Sequence, residues 1–424
     1  MPADLVIAIP SPSLVVMVGP AGSGKSTFCS RHFTPTQVVS SGAHAHAILD
    51  LRLSRRRLTV LDATDVEAEA RIAALRIAAR HHLPAVAVVL DLPVDECARL
   101  DAARAGRRAG RAVIARHAAA LREALPALKA EGFSRVHHLR AALDVAGLRV
   151  DIEPLPCDRS AERGPFDLIG DVHGCARELR ILLRRLGYRR RSPREPHRHP
   201  TGRRAVFLGD LVDRGPRVPE AARLVMDMVE TGAAFSVPGN HDVDLVLVLE
   251  GDGPEPGPGT RRSLEQLASL PAAARHAFRR RFARFVTSLP SHLLLDGERL
   301  AVAHAGLPAG YVGRDSEEVR RFALRGQTSG DLDRYGLPVR VNWAAAYDGR
   351  PFLVYGHTPV RRPESIRNTL NIDTGCVYGG SLTALRFPEM ETVSVRAARA
   401  YYQSPRISPK GVGFRAETRS QPTL

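Results

Sequence analysis

Five times in the second part of this 424-residue chain, an apolar run ends in a cluster of Asp, Asn and His. The segments are FDLIGDVHG, AVFLGDLVDRG, FSVPGNHD, LAVAHAGL and FLVYGHT. Short apolar runs bounded by turn residues read as buried strands. Polar groups gathered at the carboxyl ends of strands mark where open α/β sheets place their sites. In GDVHG, Asp171 and His173 are two apart at a strand end, so both side chains project from one face and can hold one metal. GDLVDRG offers Asp210, GNHD offers Asn240 and His241, and AHAG and YGHT add His304 and His357. This set mixes oxygen and nitrogen donors without a thiolate, which suits Mn²⁺ or another borderline divalent ion rather than structural zinc.

So many candidate ligands fit two cations ~3.5–4 Å apart, a pair that activates water and stabilises a phosphoryl group during in-line displacement. Asp210 is suited to bridging both. Arg214, in the same loop, carries the two-pronged donor that matches phosphate oxygens. With Asn240 as the ligand of its pair, the imidazole of His241 is left to protonate the departing oxygen, and Asp242 or Asp373 could orient it. Asp242 is equally suited to capping a helix.

The first 150 residues have another pattern. Apolar strands at 14–19, 58–64 and 85–92 alternate with helical stretches from Gly24, from Glu67 to about His82, and along an Ala/Arg-rich run after residue 92. That alternation implies a parallel sheet with helices on its faces. Between the first strand and helix, GPAGSGKS (19–26) fits G-x-x-x-x-G-K-[ST] at every fixed position. Gly19, Gly22 and Gly24 allow backbone N–H groups to turn toward phosphate oxygens, Lys25 reaches the β and γ phosphates, and Ser26, followed by Thr27, can serve Mg²⁺. ATP with Mg²⁺ is therefore the expected ligand. Asp62, ending the next strand, can join the Mg²⁺ shell or cap a helix. ARAGRRAGRAVIAR (103–116) has five arginines and no acid, which reads as a phosphate-clamping lid or as a solvated helix face.

The Pro-rich, aperiodic PLPCDRSAERGP (154–165) marks a boundary, giving domains at 1–153 and 166–395 and a basic, disordered tail at 396–424. The formal charge of +16 is concentrated in 103–116, in the Pro-broken loop 184–204 and in the tail, which favours anionic partners and nucleic acid first. No apolar run approaches the ~18 residues needed to span a bilayer, and no basic leader precedes the apolar start. Five scattered cysteines without a CxxC pair suggest reduced thiols. A cytoplasmic protein without membrane association is the expectation.

GDVHGC, GDLVDRGP, GNHD, HAGL and GHTP together resemble the phosphoprotein-phosphatase branch of the binuclear metallophosphoesterases. The resemblance implies a calcineurin-like α/β sandwich after the P-loop kinase-like domain. It also implies Asp171, His173, Asp210, Asn240, His304 and His357 as metal ligands, His241 as general acid and Arg214 on the substrate phosphate. With the P-loop, RLTVLDATDV (57–66), the NWAAAYDG region (338–360) and NIDTGC (371–376), the chain from about Val15 to about Tyr402 is similar to the bacterial polynucleotide kinase-phosphatases of RNA end-healing. That likeness implies RNA 3′-phosphate or 2′,3′-cyclic phosphate ends as substrates and adds Asp373 to the phosphatase site.

Two departures change what the likeness implies. No lysine lies in a KxDG motif, so sealing would need a separate ligase. Where that family has an SSD sequence whose Asp activates the 5′-hydroxyl, this chain reads VVSSGAHAHAILD (38–50), with Gly42 at the position and Asp50 as an unproven substitute. A P-loop domain that binds ATP yet transfers phosphate poorly is expected. Serine/threonine phosphatases and dinucleoside tetraphosphate hydrolases share the GDVHG, GDLVDRG and GNHD core and stand as the alternative, with the P-loop domain as a nucleotide sensor.

Overall fold

The structure is a computed structural model describing residues 6–63, 67–104, 108–140, 148–192, 195–333 and 338–403. It divides into two compact units, Met1–Leu155 with Gly313–Ser316, and Pro156–Val312 with Glu317–Leu424. The expected lid residue Arg107 and residues 404–424 of the expected tail lie outside the described residues, whereas 396–403, expected to be disordered, are bonded to the second unit through the Ala397, Tyr401 and Tyr402 N–H groups.

In the first unit, strands β2 (Leu14–Val18), β3 (Val38–Ser40), β4 (Thr59–Asp62), β5 (Ala85–Leu90) and β6 (Arg135–Leu139) form a five-stranded sheet in the order β3-β4-β2-β5-β6. Every pairing is parallel. β2 and β5 are buried along their whole length, as apolar runs covered on both faces should be. Flanking this sheet, β1 (Val6–Ser11) pairs in parallel with β7 (Arg149–Pro154). The Ala/Arg-rich run forms two helices, Val94–Ala102 and Arg111–Ala124, because Gly110 sits at φ 80 as the second helix begins. The Asp101 carboxylate ties the break by accepting from the Ala109 and Gly110 N–H groups at 3.0–3.1 Å.

The second unit is a two-sheet sandwich. One sheet runs β11 (Ala234–Ser236), β10 (Arg204–Phe207), β9 (Phe166–Ile169), β19 (Ser381–Phe387) and β20 (Glu391–Arg396). The other runs β17 (Glu364–Ile366), β18 (Thr369–Asn371), β16 (Phe352–Tyr355), β13 (Leu300–Ala303), β12 (His292–Leu295) and β8 (Asp158–Arg159), while β14 (Thr328–Leu332) and β15 (Pro338–Arg340) pair antiparallel by themselves. Alternation along single strands sorts side chains between layers. Phe166, Leu168, Val206, Leu293, Leu295, Leu300, Val302 and Val354 fill the space between the sheets. Ile169, Ala205 and Phe207 face outward onto the helices Ala176–Leu186 and Val218–Glu230. Leu294, Ala301, Ala303 and Leu353 face a second outer layer that includes Val319 and Ala323. Each fully buried Leu, Val or Phe contributes ~1.5–3 kcal/mol, so these three layers carry the sandwich. Among the described residues, no helix is long and apolar enough to cross a membrane.

Much of the basic stretch 184–204 serves this unit's own structure. Arg203 is buried and donates to the Phe166 carbonyl and to Asp167, while Arg204 pairs with Glu162. Arg185 and Arg198 donate to the Ser394 and Thr231 carbonyls at 2.6 Å.

Candidate metal centre

The candidate ligands come from the ends of strands in both sheets of the sandwich. Asp171 and His173 follow β9, Asp210, Asp213 and Arg214 follow β10, and Asn240 and His241 follow β11. His304 follows β13, His357 follows β16 and Asp373 follows β18. Positive φ angles, which non-glycine residues adopt at a cost of ~1–3 kcal/mol, occur at His173 (41), Asp210 (49), Asp213 (68), Arg214 (65) and His357 (69). The loops must therefore approach closely. A Cβ on Gly215 would lie 1.7 Å from the His173 carbonyl oxygen, and one on Gly356 would lie 2.1 Å from Asp171 Oδ1.

The donor atoms converge on Asp210. One group joins Asp210 with His173 and His241 and a second joins it with His304 and His357, the donor atoms of each group lying within 4.8 Å of one another. Asp210 Oδ2 is 3.3 Å from His173 Nε2, and Oδ1 is 3.4 Å from His304 Nε2. His173 Nδ1 donates to the Val212 carbonyl and His304 Nδ1 to the Leu208 carbonyl, both at 2.8 Å. A carbonyl can only accept, so these bonds fix the tautomers and leave both Nε2 lone pairs facing Asp210. His304 Nε2 lies 3.2 Å from Asn240 Oδ1 and 3.0 Å from His357 Nδ1, so nitrogen and oxygen donors crowd one point. His357 Nε2 is buried without a hydrogen-bond partner. Asp171 lies across the same space, its carboxylate accepting the His357 N–H at 3.1 Å. The donors present thus suit two divalent cations sharing Asp210.

Electrostatics agree. Burial works to raise the Asp210 carboxyl, but His304, His241, His173 and His357 together hold it below the usual carboxylate range. Burial, then Arg214, pushes His173 down to about 3, and burial also lowers His304 and His357, so the imidazoles stay neutral and able to ligate. Asp171 is pushed well up by burial and then by Asp373 and Asp210. Burial takes Asp373 up to about 7. Asp171 and Asp373, buried beside the Asp210 charge, resist ionising, which a bound cation would reverse.

Arg214 reaches into the cluster, its Nη1 2.8 Å from His173 Nε2 and its Nη2 2.6 Å from His241 Nε2. The carboxylate orienting His241 is neither Asp242 nor Asp373. Asp213 Oδ2 accepts from His241 Nδ1 at 2.8 Å, while Thr260 and Ser263 hydroxyls hold that carboxylate at 2.7 and 2.6 Å. Asp242 instead accepts from the Gly239 and Leu211 N–H groups at 2.9 Å, capping the helix Asn240–Glu250. Asp373 caps the Gly375 N–H at 3.0 Å and lines the centre beside Asp171. Asp213 is the second Asp of GDLVDRG, next to Arg214, and sequence reasoning passed it over. The Trp343 of NWAAAYDG donates to the Ala305 carbonyl at 3.1 Å and packs so close to Gly306 that a Cβ there would lie 1.8 Å from its ring.

In the first unit, Gly22 and Gly24 adopt φ 76 and 87, and Lys25 donates to the Gly19 and Pro20 carbonyls at 2.8 Å. Ser26 and Thr27 are exposed in the first turn of the helix Lys25–His32. Asp62 and Lys25 both act on the buried Cys29 thiol, which burial first and Asp62 second push up to about 12. The helix after β4 begins at Ala68 with Glu67 as its cap, so Asp62 is not its cap. Asp50 is bonded to Arg80 and to His81 at 3.0 and 2.9 Å, and a Cβ on Gly42 would meet nothing within 4 Å.

Fold and site define a binuclear metallophosphoesterase joined to a P-loop unit. Residues 164–391, more than half of the chain, match the calcineurin-like phosphoesterase family, and the chain belongs to it. Residues 41–128 match an AAA domain. The chain is 42% identical over 236 residues to the bis(5′-nucleosyl)-tetraphosphatase PrpE [asymmetrical] of Geobacillus sp. (strain WCH70), covering 56% of this chain and 96% of that protein. It is 43% identical to the protein of that name from Bacillus velezensis, over 56% of this chain and 94% of that one. The Bacillus subtilis (strain 168) protein of that name is 40% identical, over 56% and 97%.

Proposed function

We propose that the second unit hydrolyses dinucleoside polyphosphates, splitting a bis(5′-nucleosyl) tetraphosphate into unequal halves. The observation that carries this reading is the identity of 42% over 96% of a relative named for that reaction, a likeness spanning that relative's length rather than its motifs alone. RNA ends, the substrate implied by the likeness to end-healing enzymes, would use the same centre with another leaving group. Support for that path weakens because Arg185, Arg198, Arg203 and Arg204 of the long basic stretch are engaged within the protein.

Asp171, His173, Asp210, Asn240, His304 and His357 would hold two divalent cations, with Mn²⁺ the best match to the donor set. When bound, such a pair supplies Lewis-acid charge and an activated water. Arg214 binds non-bridging oxygens of the phosphoryl group through its fork. His241, its Nδ1 proton held by Asp213, delivers a proton from Nε2 to the departing oxygen. A P–O bond to the water oxygen forms as the bridging P–O bond breaks, and the leaving polyphosphate takes the proton.

The first unit is proposed to bind ATP with Mg²⁺ and to serve as a sensor rather than a competent kinase, because Gly42 removes the base and Asp50 is committed to Arg80 and His81. The deciding experiment measures Mn²⁺-dependent turnover of diadenosine tetraphosphate, an RNA 3′-phosphate, an RNA 2′,3′-cyclic phosphate and a phosphopeptide in parallel, with Asp210→Ala as control. The tetraphosphate is expected to give the highest kcat/KM. An RNA end exceeding it tenfold would overturn the reading.

A further inference from the structure

The segment after β20 returns to the metal centre and puts an aromatic ring on its arginine. It is tied down along its length. The Ala397 N–H donates to the Gly380 carbonyl at 2.9 Å, and the Tyr401 and Tyr402 N–H groups donate to the Val377 carbonyl at 2.9 and 3.0 Å. Arg262 bridges, its Nη1 donating to the Tyr401 carbonyl at 2.7 Å and to the Arg214 carbonyl at 2.9 Å. Tyr401 turns its hydroxyl to Glu178 at 2.8 Å, a structural anchor. Tyr402 does not follow it. Its ring lies 6.2 Å from that of Tyr378, tilted by 65°, and the Arg214 guanidinium stands 5.6 Å from the Tyr378 ring and 6.0 Å from the Tyr402 ring.

Two half-buried tyrosines therefore flank the Arg214 guanidinium, which is placed to take the substrate phosphate. Cation–π contact explains how they steady Arg214. It does not explain why the fold brings a second aromatic from a distant part of the chain when Tyr378 already lies there. A nucleoside 5′-phosphate held by Arg214 carries its base one ribose away from the phosphate, on the scale of the distance to these rings, and aromatic faces stack on bases without regard to sequence.

We propose that Tyr378 and Tyr402 form a nucleoside platform at the rim of the metal centre, selecting phosphate esters that carry a base. This rests on the dinucleoside polyphosphate reading, but its test does not. The Mn²⁺-loaded full chain hydrolyses p-nitrophenyl phosphate while AMP or ribose 5-phosphate is added as competitor, so that only ligands of this centre register. In the wild type, AMP is expected to inhibit ~10-fold more tightly than ribose 5-phosphate, a factor typical of one stacked base. Tyr402→Leu, which keeps apolar packing, and Tyr378→Leu are expected to bring that ratio toward one, whatever happens to kcat through Arg214. Tyr402→Phe should retain it. A ratio of one in the wild type, or an unchanged ratio in both Leu variants, would overturn the platform. Failure to cleave diadenosine tetraphosphate would sink the substrate reading alone, because the inhibitor ratio is measured without it.

Discussion

Asp213 Oδ2 lies 2.8 Å from His241 Nδ1, and two hydroxyl groups hold the carboxylate from behind. A ring locked in this way presents Nε2, and only Nε2, to the reacting phosphate. The need for its proton depends on the leaving group. A polyphosphate leaves as a stable anion, whereas a ribose or alkyl oxygen leaves as a strong base. His241→Ala should therefore lower kcat by ~10²–10⁴ on an alkyl phosphate and far less on diadenosine tetraphosphate. Asp213→Asn should act in the same direction with smaller amplitude. Equal losses on both substrates, measured at saturating substrate, would remove His241 from the role of general acid.

Asp210 belongs to both donor groups, so its loss differs from that of any histidine. Asp210→Ala should abolish binding of both cations, while His173→Ala should leave the group of His304 and His357 able to hold one. Metal content of dialysed, Mn²⁺-reconstituted protein, read by mass spectrometry, is expected to approach zero for the first variant and one equivalent for the second. Two retained equivalents in Asp210→Ala would contradict the shared ligand.

How far the sequence foretold this site depends on the residue. The ligands were legible because each polar cluster ends a short apolar run, although Asp171 and His173 lie in the loop after β9, with His173 at φ 41, rather than on one face of a strand. Asp213 was not, since an Asp three residues past a ligand can point anywhere until Thr260 and Ser263 arrive from a helix about 50 residues later in the chain. Asp242 shows the reverse: adjacency to His241 suggested partnership, but a helix start claimed its carboxylate. The Tyr402 contact with Arg214 was equally hidden, because nothing in an aperiodic segment tells where it returns. In the first unit the P-loop and the central strands β2, β4 and β5 were clear from pattern, whereas β3, three residues long, and β6, with three polar residues in five, carry little periodic signal.

Burial raises Asp373 to about 7 and Asp242 to about 8, the latter helped by Asp210. A carboxyl whose folded pKa exceeds its unfolded value favours the fold while protonated, and that contribution is lost as pH rises through the folded pKa. The buried histidines have the opposite sign: their contribution is present above 6.5 and lost as pH falls. Between pH 6.5 and about 8, below the range where the buried thiols add a dependence of their own, the carboxylates remain to act. The Tm of metal-depleted protein should therefore fall between pH 6.5 and about 8, and Mn²⁺ should restore it by neutralising the charge. Asp373→Asn should flatten the metal-free profile. A metal-free Tm that rises over this range would reverse the assignment.

The P-loop lysine holds the Gly19 and Pro20 carbonyls, contacts that a polyphosphate would have to replace. ATP binding measured by calorimetry with Mg²⁺ should accordingly be present in the wild type and lost in Lys25→Met, since one charge-assisted contact of this kind is worth ~1.5–3 kcal/mol. Transfer is another matter. Gly42 has open space where a Cβ would stand, so Gly42→Asp can be accommodated without a clash. If the missing base is what idles this unit, transfer of the ATP γ-phosphate to a 5′-hydroxyl oligonucleotide should be near background in the wild type and rise at least ~10-fold in Gly42→Asp, within the range general-base help supplies. Ordinary kinase turnover in the wild type would show that some other group already plays that part.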